Sequence, residues 1–585
     1  MNKKDLLPII LLVLMIPLWI FIDKNFIAPK FPTKTPPAAI EQPAEEVPAS
    51  APAAKTPALS RPTSSTEPAA PQATETSVDE VVATLENEKV KLELTSLGGG
   101  IKSATLLNFP ELNEKDSPPV TIDFSDATAL AYEGLAGIAA SESLDMQTLE
   151  DGKSIAFSKT LEDGLVFQRT ITLENDYLLT INDRFTNPGS SVIKLDDFRI
   201  LTGRMKNPAD TKAMKGISIL GVDSYTPAGG INYWGRKLHK LYGKAKPLSI
   251  DMTPADMNGV EVDWVSAKNK FFSQILRPNE PIATMAVLST RETEGKGVIP
   301  KNVAAALTFK PEVIEAGSSH DIGYSYYIGP KKYSTLQESG YHMEKVMEFE
   351  TIGTFAWMNW LMEPARKSLL WTMNKFHAII PNYGIAIILL TLLVRILFWP
   401  LTHKSTESMK RMQEIQPELK ALQAKYGKSN PQKLQQETMK LYKEKKVNPM
   451  GGCLPMFVQI PVFIALFTVL RNAIELRFAG FLWIADLSVS ENLMAGKIPF
   501  VGSLNILPVV MAVSMIWQQK LSSPGAAATP EQKQQQQMMM FMMPIMMLFF
   551  FYKMPSGLVL YWTTSNLLMI AQTGLRNLKK KKAEA

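Results

Sequence analysis

The sequence predicts an α-helical membrane protein with six transmembrane helices, a cytoplasmic helical hairpin and a large all-β domain outside the membrane. Three observations carry this. The 585 residues are 46% hydrophobic with a mean hydropathy of −0.02, yet residues 1–350 are mostly polar after one apolar start, while 380–575 are dominated by apolar runs. Between about Val81 and Gly340, apolar and polar residues alternate with period two, as in "LVFQRTITLENDYLLTINDRFTN", the pattern of antiparallel strands. Lysines gather beside the apolar runs, where a membrane explains them better than nucleic acid; the net charge of +6 is too small to argue for DNA. The single cysteine, Cys453, excludes an intramolecular disulfide and a multi-cysteine metal site.

The elements follow in order. Residues 1–28 place Lys3 and Lys4 before an apolar run from Leu6 to Ile22 with no small-residue cleavage site, so they are expected to form an uncleaved signal anchor with its basic end inside. Residues 29–78, rich in Pro, Ala and hydroxyl side chains, read as an extended tether. Residues 79–350 are expected to fold as a β-sandwich. Its "GGG" at 98–100 is followed by neither a helix nor Lys-Ser/Thr, so it reads as a tight turn or bulge, not a phosphate loop. Residues 351–380 mix aromatics with Glu363, Arg366, Lys367 and Lys375, as an interfacial amphipathic helix does.

Residues 381–577 hold five further candidate spans, near 382–401, 453–470, 502–519, 538–552 and 558–575. Several fall short of the roughly 20 residues a span needs, which suits a thinned bilayer or incompletely lipid-exposed helices. With the N-terminus inside, six spans return the C-terminus inside, and the Lys-rich loop 403–446 and the basic tail 578–585 then face the cytoplasm. The outer loop 471–501 carries Arg471, Arg477 and Lys497, a mild exception, and its "FAGFLWIADL" has an interfacial composition. Within 403–448, Met409, Met412, Ile415, Leu419, Leu422 and Tyr426 recur at helical spacing. Leu434, Thr438, Leu441 and Lys445 carry a weaker stripe beyond the "YGKSNP" break, so a two-helix hairpin is expected. It either docks cytoplasmic partners or only orders the spans.

The candidate site is polar and intramembrane. Arg395 lies roughly 10 Å inside its helix from the cytoplasmic end. Thr391 is one turn away, Gln459 enters the third span to a similar depth, Ser514 and Gln518 share a face of the fourth, and Asn566 lies in the inner half of the last. Polar side chains from four helices thus converge in the cytoplasmic half, which suggests a wet cavity open inward. The bland alternatives are an arginine snorkelling to phosphates and ordinary interhelical glue. No Asp, Glu or His falls within these five spans, and no nucleotide loop, catalytic triad or zinc-ligand set accompanies them, so neither an enzyme nor a cofactor is expected.

"LLVRILFWPLT" (392–402), "NPMGGCLPMFVQIPVFIALF" (448–467) and "PSGLVLYWTTSN" (555–566) resemble the signature stretches of YidC-type membrane protein insertases, and the anchor, tether and β-domain are similar to the Gram-negative form. The resemblance implies a five-helix insertase core around a hydrophilic groove and a periplasmic β-super-sandwich similar to that of sugar mutarotases, from which no catalytic residue is carried over. The family's groove arginine falls on Arg395 and its threonine on Thr391. Its aromatic hydroxyl pair falls on Tyr561 and Trp562, so one hydroxyl is missing here.

The implied activity is reception of hydrophilic client flanks in the groove and lateral release of apolar segments into the inner membrane, without nucleotide hydrolysis. The implied partners are nascent inner-membrane proteins, the Sec translocon, the ribosome at the hairpin and basic tail, and anionic lipids. The competing readings are a multi-pass small-molecule transporter, which would need coupling carboxylates and inverted repeats, and a membrane-anchored periplasmic sugar-binding or sugar-modifying protein.

Overall fold

The structure is a computed structural model that describes residues 80–584 except 126, 208–219, 235–248, 282, 295–296, 350–357, 427–429, 446, 448–453, 499–501 and 523–529. The expected anchor (1–28) and tether (29–78) lie outside the described residues.

Strands run from Val82 to Pro330 and pair antiparallel in the named sheets. A nine-stranded sheet has the order 230–233, 221–226, 264–268, 272–278, 319–330, 178–186, 166–173, 154–160, 145–148. A five-stranded sheet (249–252, 284–294, 297–309, 198–201, 132–133) and a four-stranded one (82–86, 90–95, 100–110, 119–123) complete the sandwich, with a small pair, 193–195 and 312–314. The alternation read in the sequence is the alternation of burial: in Leu178–Thr186, Leu179, Ile181, Asp183 and Phe185 point inward.

That inward row contains a charge, and the neighbouring strand answers it. Arg169 Nε and Nη2 each donate to the Asp183 carboxylate at 2.7 Å, and both side chains are fully buried. Nη1 donates to the carbonyls of Gly99 (3.0 Å) and Leu130 (2.6 Å), and Tyr132 Oη donates to Asp183 (2.7 Å). A buried pair is tolerable only when its remaining donors and lone pairs are satisfied, and here they tie strands of separate sheets together. Gly98 and Gly99 have φ of +68° and +58°, and a Cβ on Gly100 would lie 2.2 Å from the Ala129 carbonyl oxygen. The "GGG" is therefore a turn that brings its backbone to Arg169.

Below the sandwich comes a short helix α1 (Tyr333–Glu338), then a connector whose carbonyls are capped one after another. Trp264 Nε1 donates to Tyr341 O (3.0 Å), Tyr233 Oη to Lys345 O (2.9 Å), Lys268 Nζ to Val346 O (3.0 Å) and Asn472 Nδ2 to Met347 O (3.5 Å). Arg366 donates to Phe349 O. Arg366 lies in α2 (Asn359–Ile379), the expected interfacial helix, and is buried there, so its charge serves the connector and does not join the helix's polar surface.

The helices that follow are α3 (Tyr383–Leu397), α4 (Trp399–Glu414), α5 (Gln416–Tyr426), α6 (Pro431–Glu444), α7 (Leu454–Asn472), α8 (Ile506–Ser522), α9 (Pro530–Phe551) and α10 (Ser556–Glu584). Two expectations are corrected by proline. The span expected at 382–401 ends at Leu397, because Pro400 has no N–H to bond the Ile396 carbonyl and sits instead in the first turn of a new helix. The hairpin is three helices, not two: Pro417 lacks the N–H that would carry α4 onward. Its arms meet through Ile415, Leu419, Leu441 and Val447, and Lys445 pairs with Glu418 at 2.6 Å. Residues 502–504, expected to open the fourth span, pair instead as a strand with 493–498. The final helix runs through the basic tail to Glu584.

Among the described residues no helix is long and apolar enough to cross a membrane, so the five spans expected within 381–577 do not stand there as full apolar spans. The 15 residues of α3 rise only about 22 Å. The helices nevertheless expose large apolar side chains, including Leu393 and Ile396 of α3, Val513 and Trp517 of α8, and Phe541 and Phe549 of α9, a surface that water does not favour.

At the base of the sandwich, Lys268 bonds Asp223 (2.6 Å) and Glu348 (3.0 Å). Lys331 is buried beside them and donates to Asn269 O at 3.3 Å. Burial first, then the Lys268 ammonium, hold Lys331 below its ordinary value of 10.5, at about 7, against the upward pull of Glu348 and Asp223; Arg471 adds a smaller downward push. The unfolded chain keeps the ordinary value and so binds more protons between those limits. This residue's cost is therefore fully present below about 7 and is relieved as pH rises toward 10.5. Lys331→Met is expected to raise the unfolding midpoint near neutral pH and to flatten its rise with pH across that window, read by thermal unfolding of the full chain in detergent. An unchanged pH slope would refute the assignment.

Candidate functional site in the helical bundle

The polar residues singled out in the sequence meet around α10. Its start is fixed from below: Ser556 N and Oγ both donate to Val489 O (2.7 and 2.8 Å), and Gly557 N donates to Leu487 O (2.8 Å). A Cβ on Gly557 would lie 3.2 Å from that same oxygen and from Ile387 Cδ1, so glycine lets α10 approach both the loop and α3. From this anchored start, Tyr561 and Ser565 fall one turn apart on the same face, with Asn566 beside them.

Each of these three takes a partner from a different helix. Arg395 of α3 directs Nη2 to Ser565 O and Ser565 Oγ, both at 2.8 Å. Gln459 Nε2 of α7 donates to Tyr561 Oη at 2.9 Å. Asn566 Nδ2 donates to Ser514 Oγ of α8 at 3.1 Å, while that hydroxyl donates to Met511 O at 2.7 Å. Tyr561, Ser565, Asn566 and Ser514 are all buried, and Arg395 is half-buried.

Three expected members take other roles. Thr391 is buried, but its hydroxyl donates to Ile387 O one turn back on its own helix (2.7 Å). Trp562 packs its ring against Phe463 (5.1 Å between centroids, edge-to-face) and Phe551 (5.4 Å) and belongs to the apolar packing. Gln518 turns its amide onto the Met569 sulfur, at 2.7 Å. The sequence does not single out Ser565, the direct partner of Arg395; its position one helical turn after Tyr561 is the signal it carries.

The electrostatics are lopsided. Among the described residues Arg395 makes no salt bridge, and its Nε is buried without a hydrogen-bond partner. Among the described residues the guanidinium is held by the two neutral oxygens of Ser565. This arrangement can receive an anion or an ordered water.

The comparisons bear on what such a bundle does. A family profile described as 60Kd inner membrane protein matches residues 375–583, and one described as YidC periplasmic domain matches 82–366. A protein of Syntrophus aciditrophicus named membrane protein insertase YidC is 30% identical over 82% of this chain and 81% of its own length. A Histophilus somni protein of the same name is 31% identical over 87% of this chain and 88% of its own. A solved structure titled as an active YidC insertase with its first transmembrane domain resolved covers 84% of this chain and 94% of its own at 18% identity and a TM-score of 0.34, so the assignment rests on the profiles and the sequence relatives. The chain belongs to the YidC family of membrane protein insertases.

Proposed function

We propose that the protein inserts client proteins into the inner membrane, with Arg395 as the receiving charge. The observation that carries this reading is the guanidinium held, among the described residues, only by Ser565, with Nε unpartnered there. A client helix arrives with a short hydrophilic, often acidic, flank. That flank displaces Ser565 at Arg395 and lies among the amides and hydroxyls of Gln459, Tyr561, Ser514 and Asn566, with Thr391 and Gln518 at the margins. The apolar segment leaves sideways into lipid, alone or with the Sec translocon. Apolar burial and the membrane potential drive the step, and no nucleotide is consumed.

The magnitudes suit transient binding. A charge inside an apolar helix costs roughly 2.5–3.5 kcal/mol on insertion scales. A carboxylate about 4 Å from the guanidinium contributes about 4 kcal/mol at an intermediate dielectric. Hydrogen bonds to a charged group contribute roughly 1.5–3 kcal/mol each, so exchanging two Ser565 bonds for one client carboxylate is close to balanced. The client is received without being trapped.

On this reading both termini face the cytoplasm and the β-domain faces the periplasm. The α4–α6 hairpin and the basic tail meet the ribosome and anionic lipid. The exposed indoles of α2, Trp360 (74%) and Trp371 (63%), lie on one face and suit the outer bilayer interface. Short helices such as α3 suit a locally thinned bilayer. The small-molecule transporter alternative has no support from the relatives above, and no second reading is needed.

The test is insertion of a short-tailed client, synthesised beside nucleotide-free proteoliposomes and scored by protease protection. The intact chain is expected to insert it. Arg395→Lys is expected to retain much of the activity, and Arg395→Ala to lose it by roughly tenfold or more, equivalent to about 1.4 kcal/mol or more. Equal insertion by all three would remove Arg395 from the mechanism; no insertion above empty vesicles would count against the reading itself.

Tyr561→Phe tests the seam. It leaves the Gln459 amide without its partner, at a cost of about 1–3 kcal/mol, and is expected to lower both the melting temperature and insertion. The drop in insertion should be smaller than for Arg395→Ala. Wild-type values for both would remove the Tyr561–Gln459 contact from the site.

A further inference from the structure

The loop between α7 and the strand at 493–498 ends in a small closed turn. Phe481 N donates to Ile484 O (2.8 Å) and Ile484 N to Phe481 O (2.9 Å), which throws the two central residues outward. Leu482 is 77% exposed and Trp483 45%. Leu482 adopts φ of +53° and Phe478, near the root, +58°, a left-handed backbone that bulky residues rarely take. The Trp483 indole N–H donates to Glu491 at 3.1 Å, so its polar edge is tied to the protein while the ring stays exposed. A leucine and a tryptophan held outward on a strained turn gain nothing from water.

Two observations say what covers them. The turn sits at the end of the bundle where α2 finishes and α3 starts. The Phe481 ring occupies the space a Cβ on Gly384 would need, with a closest approach of 2.2 Å, and Asn382 Nδ2 approaches Gly480 O at 3.5 Å. Ile379 at the end of α2 is itself 77% exposed, so the tip is continuous with the indole-bearing face of that helix. That face also carries Lys375, whose ammonium lies 5.7 Å from the Trp371 ring centre, the pairing of an aromatic with a cation that suits lipid phosphates.

We infer that the Phe481–Ile484 turn is a wedge seated in the outer leaflet, with phospholipid as its partner. This rests on the reading of the bundle as a membrane-embedded insertase core. The root of the wedge is clamped to the β-domain. Arg477 donates to Pro110 O (2.7 Å) and Glu111 O (3.0 Å), Asn113 donates to Ala485 O (2.9 Å), and Lys270 donates to Ser488 O (2.7 Å). A seated wedge therefore holds the 110–119 hairpin close above the membrane, so the leaflet sets the height of the β-domain.

The experiment uses the full chain carrying Cys453→Ser, with one new cysteine at a time labelled with a small fluorophore. The protein is reconstituted in phosphatidylcholine–phosphatidylglycerol vesicles doped with nitroxide lipids. Leu482→Cys is expected to be quenched most by a nitroxide near the headgroup, placing it about 5–10 Å into the interface. Glu114→Cys, exposed on the β-domain hairpin, should be quenched several-fold less by every lipid and be open to an aqueous quencher. Val513→Cys, 60% exposed on α8, should be quenched most by a nitroxide deep in the chain. Deep quenching at Val513 with Leu482 as water-accessible as Glu114 would overturn the wedge and leave the embedded core standing. Absence of quenching at both Val513 and Leu482 would overturn both.

Discussion

A guanidinium set in an apolar helix dictates how the rest of the bundle is arranged. Arg395 cannot be left bare in a low-dielectric surrounding, and among the described residues no carboxylate pairs with it. The chain solves this by bringing α10 close enough for Ser565 to present both its carbonyl and its hydroxyl. That approach depends on Gly557 and on the Ser556–Val489 anchor. Once α10 is placed for Arg395, its neighbouring positions meet Gln459 on α7 and Ser514 on α8. One helix thus satisfies polar groups from three others.

The β-domain is joined to this bundle by a different device. The connector between Tyr341 and Phe349 offers main-chain carbonyls, and side chains from both sides cap them: Trp264, Tyr233 and Lys268 from the sandwich, Asn472 and Arg366 from the helices. The loop at 477–488 is held to the sandwich in the same way. Main-chain acceptors suit a hinge region because they survive changes of side chain and satisfy groups that helix and sheet leave unpaired. For Lys331, burial costs more than its neighbours return.

The sequence was most readable where one physical rule acted alone. Period-two alternation marked the sandwich strands, and helical spacing with polar breaks placed the hairpin. It was least readable where two elements far apart had to be known together. Arg169 and Asp183 each look like a charge in the wrong phase of a strand, and only the register that places them side by side explains both. Pro400 and Pro417 were visible, yet the apolar run around the first and the stripe around the second outweighed them. Depth, polarity and motif single out Arg395, Gln459, Tyr561, Ser514 and Asn566, and the fold joins them through one hydrogen-bonded seam on α10. Ser565 was missed because a serine in a helix is unremarkable until the arginine opposite it is known. Thr391 carries the family's groove threonine by resemblance, and its hydroxyl bonds the Ile387 carbonyl of its own helix.

The choice of neutral partners for Arg395 is itself informative. A fixed aspartate at position 565 would compensate the charge more fully and make the bundle more stable against its own polarity. It would also saturate the guanidinium, and an arriving carboxylate would then have to compete with a permanent one at equal charge and shorter reach. Serine supplies enough hydrogen bonding to keep the guanidinium in place and too little to neutralise it. The Gln459–Tyr561 and Asn566–Ser514 pairs obey the same rule, since amides and hydroxyls exchange partners without changing net charge. A site built to hold its ligand would spend its polarity on closure; this one leaves, among the described residues, a charge without a counter-ion and a buried N–H open, which is the arrangement that the proposed passage of an acidic flank requires.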